Sequence, residues 1–129
     1  ERCTMTLNTL FTICSVLSLV FGVAFLVVPG QVHSTYGVMP DEVDRFNGRL
    51  MGAAFVGFGV LTWMARGLAD TQARRMVVVV MFVTTLLAFG VTLLGQIQGV
   101  LGPAGWSSVA IYLLEAIGFG YYWFVKRVV

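Results

Sequence analysis

Glu115 is the residue of this sequence whose position most strongly suggests chemistry. It is the only ionisable residue deep inside a strongly apolar segment, about halfway along the last of four such segments. A charged side chain at the bilayer centre costs on the order of 3 kcal/mol on insertion scales, so such a residue is a functional hypothesis by default. Matched depths along the other segments predict hydroxyl partners for its carboxyl, namely Ser15, Ser18, Thr84 and Thr85.

Two roles are open for Glu115. No lysine or arginine lies at its depth, and burial without a cation favours the neutral, protonated carboxyl. As a functional group it would exchange protons or cations in a small transporter. Alternatively, it stays neutral and fixes helix packing, or it meets a partner subunit. The packing role is favoured, because one acid without a second polar relay is weak evidence for a pathway.

Arg45 and Arg49 form a second candidate site. They lie one helical turn apart at the start of the second apolar segment. Two guanidinium groups at this spacing can hold a lipid phosphate or a quinone-like headgroup. The alternative is ordinary anchoring of a helix end at the membrane surface, which this position favours.

The remaining residues that could carry chemistry are isolated. His33 is the only histidine, so the chain has no histidine pair for a b-type haem. Cys3 and Cys14 are eleven positions apart and lack the spacing of a zinc or thiol redox site, so Cys14 is interpreted as a small hydrophobic residue. We therefore predict no cofactor, no metal site and no enzymatic activity.

The composition indicates a membrane protein. Of the 129 residues, 58% are hydrophobic and 11% are charged, and the mean hydropathy is +0.89. Soluble domains carry about 25% charged residues. The net charge of +2 and the scattered basic residues argue against nucleic-acid binding.

Four apolar segments are each close to the roughly 20 residues that cross a bilayer. They predict one domain over residues 1–129, an all-α membrane protein with helices over about 6–28, 41–66, 71–97 and 104–126. The first segment is too long for the core of a cleaved signal peptide. Residues 29–39 are predicted to be a connection without regular structure, because Pro29 and Gly30 end the first helix.

The second segment is predicted to be the packing centre of an antiparallel four-helix bundle. One side of it carries almost no bulky side chains, so that a neighbouring helix can approach its backbone closely. The glycines predicted to form this packing face are Gly48, Gly52, Gly57 and Gly59. A short turn follows this segment, and Asp70 is predicted to cap the next helix, so these two helices should form a hairpin.

The basic residues predict the orientation. In a four-span arrangement, six of them share one side, and the other side has only Arg45 and Arg49. The six are Arg2, Arg66, Arg74, Arg75, Lys126 and Arg127. The positive-inside rule then places both termini and the 66–75 turn in the cytoplasm.

Several stretches carry a family resemblance, among them RLMGAAFVGFGVLTWMAR, ARR, LLGQIQGV and GWSSVAIYLLEAIGFGYYWF. With the Pro-Gly end of the first helix, they resemble a family of uncharacterised bacterial integral membrane proteins with four helices. The resemblance extends from about Met5 to Phe124. It implies the same architecture and the bacterial inner membrane, and it transfers no active residues.

These observations lead to a ranked set of functions. The favoured one is a non-catalytic membrane protein that acts as an accessory or stabilising subunit of a larger complex, or as a homo-oligomer. The alternative is a small proton-coupled transporter of lipophilic cations that uses Glu115. A third possibility is a lipid- or quinone-binding module that uses Arg45 and Arg49.

Overall fold

The computed structural model describes residues 6–126, and all regular structure among them is helical. The helices are α1 (Leu7–Val27), α2 (Pro29–Thr35), α3 (Glu42–Ala65), α4 (Thr71–Ile97) and α5 (Gly105–Gly120). A π-helical turn, Tyr121–Val125, continues α5. Four of these segments are long and apolar enough to cross a membrane. The predicted all-helical class and the four long apolar helices are thus confirmed.

The short helix α2 replaces part of the connection that was predicted to lack regular structure. α1 stops at Val28, whose backbone leaves the helical region with φ −131° and ψ 56°. Pro29 then begins α2, at a position where a missing N–H costs nothing and the fixed φ suits a helix. Gly37, at φ +76°, follows the end of α2 in a left-handed conformation that glycine adopts easily. The prediction was wrong here because Pro29 was interpreted only as a helix terminator.

Aspartates cap two of the long helices. The Asp41 side chain accepts a hydrogen bond from the Asp44 amide at 2.8 Å, and the Asp44 carboxylate accepts one from the Asp41 amide at 3.2 Å. This reciprocal pair is a capping box, which satisfies backbone donors at the start of α3. Asp70 caps α4, as predicted, by accepting from the Gln72 and Ala73 amides.

α3 packs along its length on α1. Later residues of α1 meet earlier residues of α3: a Cβ built on Gly22 would lie 3.0 Å from the Gly52 carbonyl oxygen, whereas one on Gly59 would lie 2.6 Å from Cγ of Leu19. The Ser15 hydroxyl also donates a 2.7 Å hydrogen bond to the Gly59 carbonyl. Glycine is therefore needed in α3, since the two backbones nearly touch.

The second helix pair is α4 with α5, and α3 meets α4 at only a few positions. In place of the close α3–α4 packing expected of the predicted hairpin, α3 packs most extensively on α1. The antiparallel bundle stays a prediction. A short turn requires two helices to be neighbours at the turn, but it does not require them to pack along their length. α3 instead packs its glycine face on α1.

The two helix pairs are joined by a core of buried side chains. Phe11 of α1 and Phe119 of α5 are fully buried, with ring centroids 6.0 Å apart. The other members come from α1, the end of α3, α4 and the π-helical turn, and they are Leu7, Leu10, Cys14, Ala65, Val77, Val78, Met81 and Tyr122. We call this set the packed end of the molecule.

Candidate functional site: a cavity beside Glu115

A cavity of about 230 Å³ lies between the two helix pairs. Most of its wall is aliphatic or aromatic and is formed by Leu17, Phe21, Phe25, Val38, Met51, Phe55, Leu101 and Ile111. A few polar side chains interrupt this wall, and they are Ser18, His33, Tyr36, Thr92, Ser108, Tyr112 and Glu115. Largely apolar walls with few polar groups are typical of sites for small organic ligands.

Glu115 is buried in the wall of this cavity. Its carboxyl lies close to the Cys14 thiol on α1, and the Cys14 sulfur lies 4.0 Å from the Ser18 hydroxyl. Among residues 6–126, no lysine, arginine or histidine forms an ion pair with it. One carboxyl therefore faces a largely apolar space, in which the Cys14 thiol and a few hydroxyl groups are the available donors.

The predicted hydroxyl partners divide into two groups. Ser18 lines the same cavity as Glu115. Ser15 and Thr85 use their hydroxyls elsewhere, since Ser15 donates to the Gly59 carbonyl and Thr85 donates to the Met81 carbonyl at 2.7 Å. Thr84 does not line the cavity. The sequence analysis missed the neighbour Cys14, which had been interpreted as a small hydrophobic residue.

A hydroxyl pair lies at the α2 side of the cavity. Tyr36 Oη and Ser108 Oγ are 2.7 Å apart and link the end of α2 to α5. The Tyr36 carbonyl also accepts a hydrogen bond from the Gly102 amide at 2.6 Å. These two bonds tie the connection after α1 to the connection before α5. Because the residues are far apart in the chain, no sequence signal pointed to this contact.

His33 is the third polar group at this side. Its Nδ1 lies 2.7 Å from the Pro29 carbonyl oxygen, and its ring meets Phe25 edge-on at 5.8 Å. Because a carbonyl can only accept, Nδ1 carries the proton, and Nε2 of the neutral ring is then an acceptor. Within the described residues, no three His, Cys, Asp or Glu side chains are grouped to hold a metal ion. Cys3 lies outside that part of the chain.

The other predicted site residues do not line the cavity. Arg45 and Arg49 are exposed near the start of α3, and a Cβ on Gly30 would lie 3.4 Å from Arg45 Nε. Gly48, Gly52 and Gly59 are buried against α1 and α2. Gly57 does not share that face: it is exposed, and a Cβ there would meet nothing within 4 Å. Two residues along a helix correspond to about 200° of rotation, so Gly57 and Gly59 cannot face the same neighbour.

A comparison with protein families assigns the chain to one of them. The family described as "Domain of unknown function (DUF8292)" matches residues 1–122, nearly the whole sequence. The chain belongs to the DUF8292 family. No curated protein and no solved structure matches it.

The cavity of this DUF8292 chain has a defined chemical character. A protonated Glu115 can donate one hydrogen bond to a ligand, and an ionised Glu115 can neutralise one positive charge. The rings of Phe21, Phe25 and Phe55 add faces that attract cations. No lysine or arginine lines the cavity to bind an anion.

Proposed function

We propose that this chain is a multi-pass protein of the bacterial inner membrane, with four antiparallel spans and both termini in the cytoplasm. An even number of spans returns the chain to the side where it began. Arg66, Arg74, Arg75 and Lys126 then share the cytoplasmic side, which the positive-inside rule favours. Arg2 and Arg127, predicted to add to this side, lie outside the described residues. Arg45 and Arg49 anchor the opposite end at the membrane surface.

Cysteine labelling tests this orientation. In a chain with Cys3 replaced by alanine, Gln72→Cys places a thiol at the start of α4, and Gln31→Cys places one on α2; both native side chains are exposed. A thiol reagent that cannot cross membranes should label position 31, but not position 72, in intact cells. Labelling of position 72 under those conditions would contradict the orientation.

For the molecular function, we propose that the cavity binds a small lipophilic cation and that Glu115 exchanges a proton for it. The observation that supports this is the position of Glu115 in the wall of an apolar cavity. This function was the alternative in the sequence analysis, where a single acid lacked an adjoining space. The cavity supplies such a space, together with further polar groups.

Electrostatics set the stoichiometry of the exchange. The empty cavity holds a neutral, protonated carboxyl, since an isolated carboxylate in an apolar site is costly. When a monovalent cation enters, the carboxyl releases its proton and becomes the counter-ion. One proton leaves for each cation that binds, and the cavity stays neutral throughout. A neutral site avoids the desolvation cost of an unpaired charge in either state.

The volume limits the ligand. Sites for drug-sized molecules have volumes of roughly 300–1,000 Å³, whereas this cavity measures about 230 Å³. A compact cation with one aromatic ring suits that space and the phenylalanine wall. Benzyltrimethylammonium, a permanently charged ion with one ring, is therefore the appropriate probe.

The experiment measures benzyltrimethylammonium binding and proton release together, using purified protein in weakly buffered detergent solution. The wild-type chain should release about one proton per cation bound. Glu115→Gln should weaken binding about a hundredfold and abolish proton release, because losing a buried charge partner costs about 3 kcal/mol or more. Glu42→Gln, the same change at an exposed site on α3, is the matched control. Equal binding by wild type and Glu115→Gln would refute the proposal.

A second candidate function, an accessory subunit or homo-oligomer, is supported by the exposed side of α3. Gly57 leaves the backbone open there, with the exposed Ala53 and Ala54 on the preceding turn. Small residues on a lipid-facing surface allow a second helix to approach. Gly57→Leu should reduce crosslinked species in mild detergent, whereas Gly90→Leu, at an equally open glycine on α4, should not. Solely monomeric wild-type protein after crosslinking would exclude self-association.

A further inference from the structure

An open groove of about 630 Å³ lies where the first turns of α1 meet the last turn of α3, away from Glu115. Asn8, Thr9 and Thr12 line one side, and Trp63 and Arg66 line the other. No acidic side chain among the described residues lines it. The groove lies at the end of the molecule that carries Arg74 and Arg75.

Arg66 is held in this groove with unused hydrogen-bonding capacity. Its guanidinium carbon lies 4.0 Å from the centre of the Trp63 ring, a cation–π contact that fixes its position. Nη1 of Arg66 is buried and has no hydrogen-bond partner among residues 6–126. Buried guanidinium donors normally have an acceptor, so Arg66 retains hydrogen-bonding capacity that no residue in this part of the chain uses.

The surroundings of Arg66 favour an anionic acceptor. Arg74 donates a 2.8 Å hydrogen bond to Asn8 Oδ1. This bond places a second guanidinium beside Asn8, which lines the groove. Nε of Arg74 is also buried without a partner in the described chain. In addition, α1 begins beside the groove, and the positive end of its dipole adds to both arginines.

Apolar side chains continue from the charged part of the groove. Ile13 and Met64 line it and are 44% and 66% exposed, and Trp63 is 52% exposed. Ile13 lies just over one turn further into α1 than Asn8, on the apolar side of the groove. Tryptophan at this depth is typical of the headgroup region of a membrane. A ligand that fits both parts therefore has an anionic head and a hydrocarbon tail.

We propose that this groove binds an anionic phospholipid, with its phosphate on Arg66 and an acyl chain along Ile13 and Met64. The guanidinium supplies two parallel donors to the phosphate oxygens, a geometry that lysine cannot reproduce. The proposal is independent of cation binding at Glu115. It also differs from the lipid site predicted at Arg45 and Arg49, which lie near the other end of α3.

Native mass spectrometry of the full-length protein tests the proposal, with phosphatidylglycerol and phosphatidylcholine added at equal concentration. The wild-type chain should retain phosphatidylglycerol preferentially. Arg66→Gln should lower that retention about fivefold, the effect of about 1 kcal/mol for one arginine near a charged membrane surface. Arg66→Lys should restore it only in part. Arg75→Gln, which removes an exposed arginine outside the groove, is the matched control and should change it little.

Three outcomes would overturn the proposal. The first is equal retention of the two lipids by the wild-type chain, which would exclude a charge-selective site. The second is unchanged retention in Arg66→Gln. The third is displacement of phosphatidylglycerol by inorganic phosphate at matched concentration, which would identify a site for the free anion instead of a lipid.

A measurement on the unaltered chain guards against a variant that fails to fold. Phosphatidylglycerol with a photoreactive acyl chain should crosslink to peptides that contain residues 8–13 or 63–67. Crosslinks confined to other segments would contradict the proposal, whatever the behaviour of the arginine variants.

Discussion

The packed end and the cavity are built from the same long helices, yet one is filled and the other is open. At the packed end, Phe11 and Phe119 fill the space between the two helix pairs. In the cavity wall, Ser18 of α1 and Ser108 of α5 lie among larger side chains that do not meet across the space. The comparison teaches that the same two helices are closely packed in one region and leave room for a ligand in another.

The largest effect is expected from removing a ring at the packed end. Phe11→Ala should lower the free energy of unfolding by about 3–5 kcal/mol, since a large cavity would form among rigid neighbours. Phe21→Ala, a ring of the existing cavity, should cost clearly less, because its side chain already borders empty space. Unfolding in detergent mixtures measures both. Similar losses would mean that the two regions do not differ in packing.

The next largest effect is a difference in the free energy of unfolding between alanine substitutions at two glycines of α3. A Cβ at Gly52 would lie 2.8 Å from the Gly22 carbonyl oxygen and 3.0 Å from the Leu26 amide, so Gly52→Ala should destabilise the chain by about 1–3 kcal/mol. Gly57→Ala meets open space and should be neutral or stabilising by up to about 1 kcal/mol, because alanine favours the helix. The same unfolding assay applies. A loss at Gly57 as large as that at Gly52 would contradict the assigned faces.

Cys14 lies at the boundary between the two regions, since it belongs to the packed end and contacts Glu115. Cys14→Ala should cost about 1 kcal/mol of stability through lost packing. It should also shift the infrared carbonyl band of protonated Glu115 to higher wavenumber, because the carboxyl loses a hydrogen-bond partner. Cys14→Ser supplies a hydroxyl donor and should move the band back. An unshifted band in Cys14→Ala would show that the thiol does not act on Glu115.

The smallest effect concerns the hydroxyl pair at the α2 side of the cavity. Ser108→Ala should lower stability by about 0.5–1.5 kcal/mol, the net worth of one hydrogen bond. Tyr36→Phe should cost a similar amount, and the double variant should cost little more than either single one. Ser107→Ala, next in the chain, is the control, because Ser107 bonds only the Ala104 carbonyl nearby. Additive losses at Tyr36 and Ser108 would mean that the two side chains act independently.

The sequence analysis succeeded where the determining interactions are local. Apolar length predicted the four long helices, and a capping aspartate predicted the start of α4 at Asp70. It failed where distant residues decide. The glycine face of α3 is equally suited to any neighbour, so the sequence could not show that α1, and not α4, covers it. The helical rotation between Gly57 and Gly59 was nevertheless available in the sequence, and it separates their faces.

The candidate site was predicted only in part for the same reason. Glu115 stood out because an acid in an apolar segment is unusual by itself. The cavity depends on which side chains from five helices fail to fill a space. Its polar groups include Tyr36 and Ser108, which are 72 positions apart. Arg66 was counted only for orientation, because its unpaired nitrogen and its contact with Trp63 exist only in the folded chain.

The bond from the Gly102 amide to the Tyr36 carbonyl joins main-chain atoms alone. Loss of the Tyr36 side chain would therefore remove the hydroxyl contact with Ser108. It would leave the main-chain bond between the two connections intact. Only the glycines beside it are constrained, since Gly37 has φ +76° and a Cβ on Gly102 would approach the Tyr36 oxygen to 3.1 Å. A substitution of Tyr36 can thus change the chemistry of the cavity wall while the bond between the two connections stays in place.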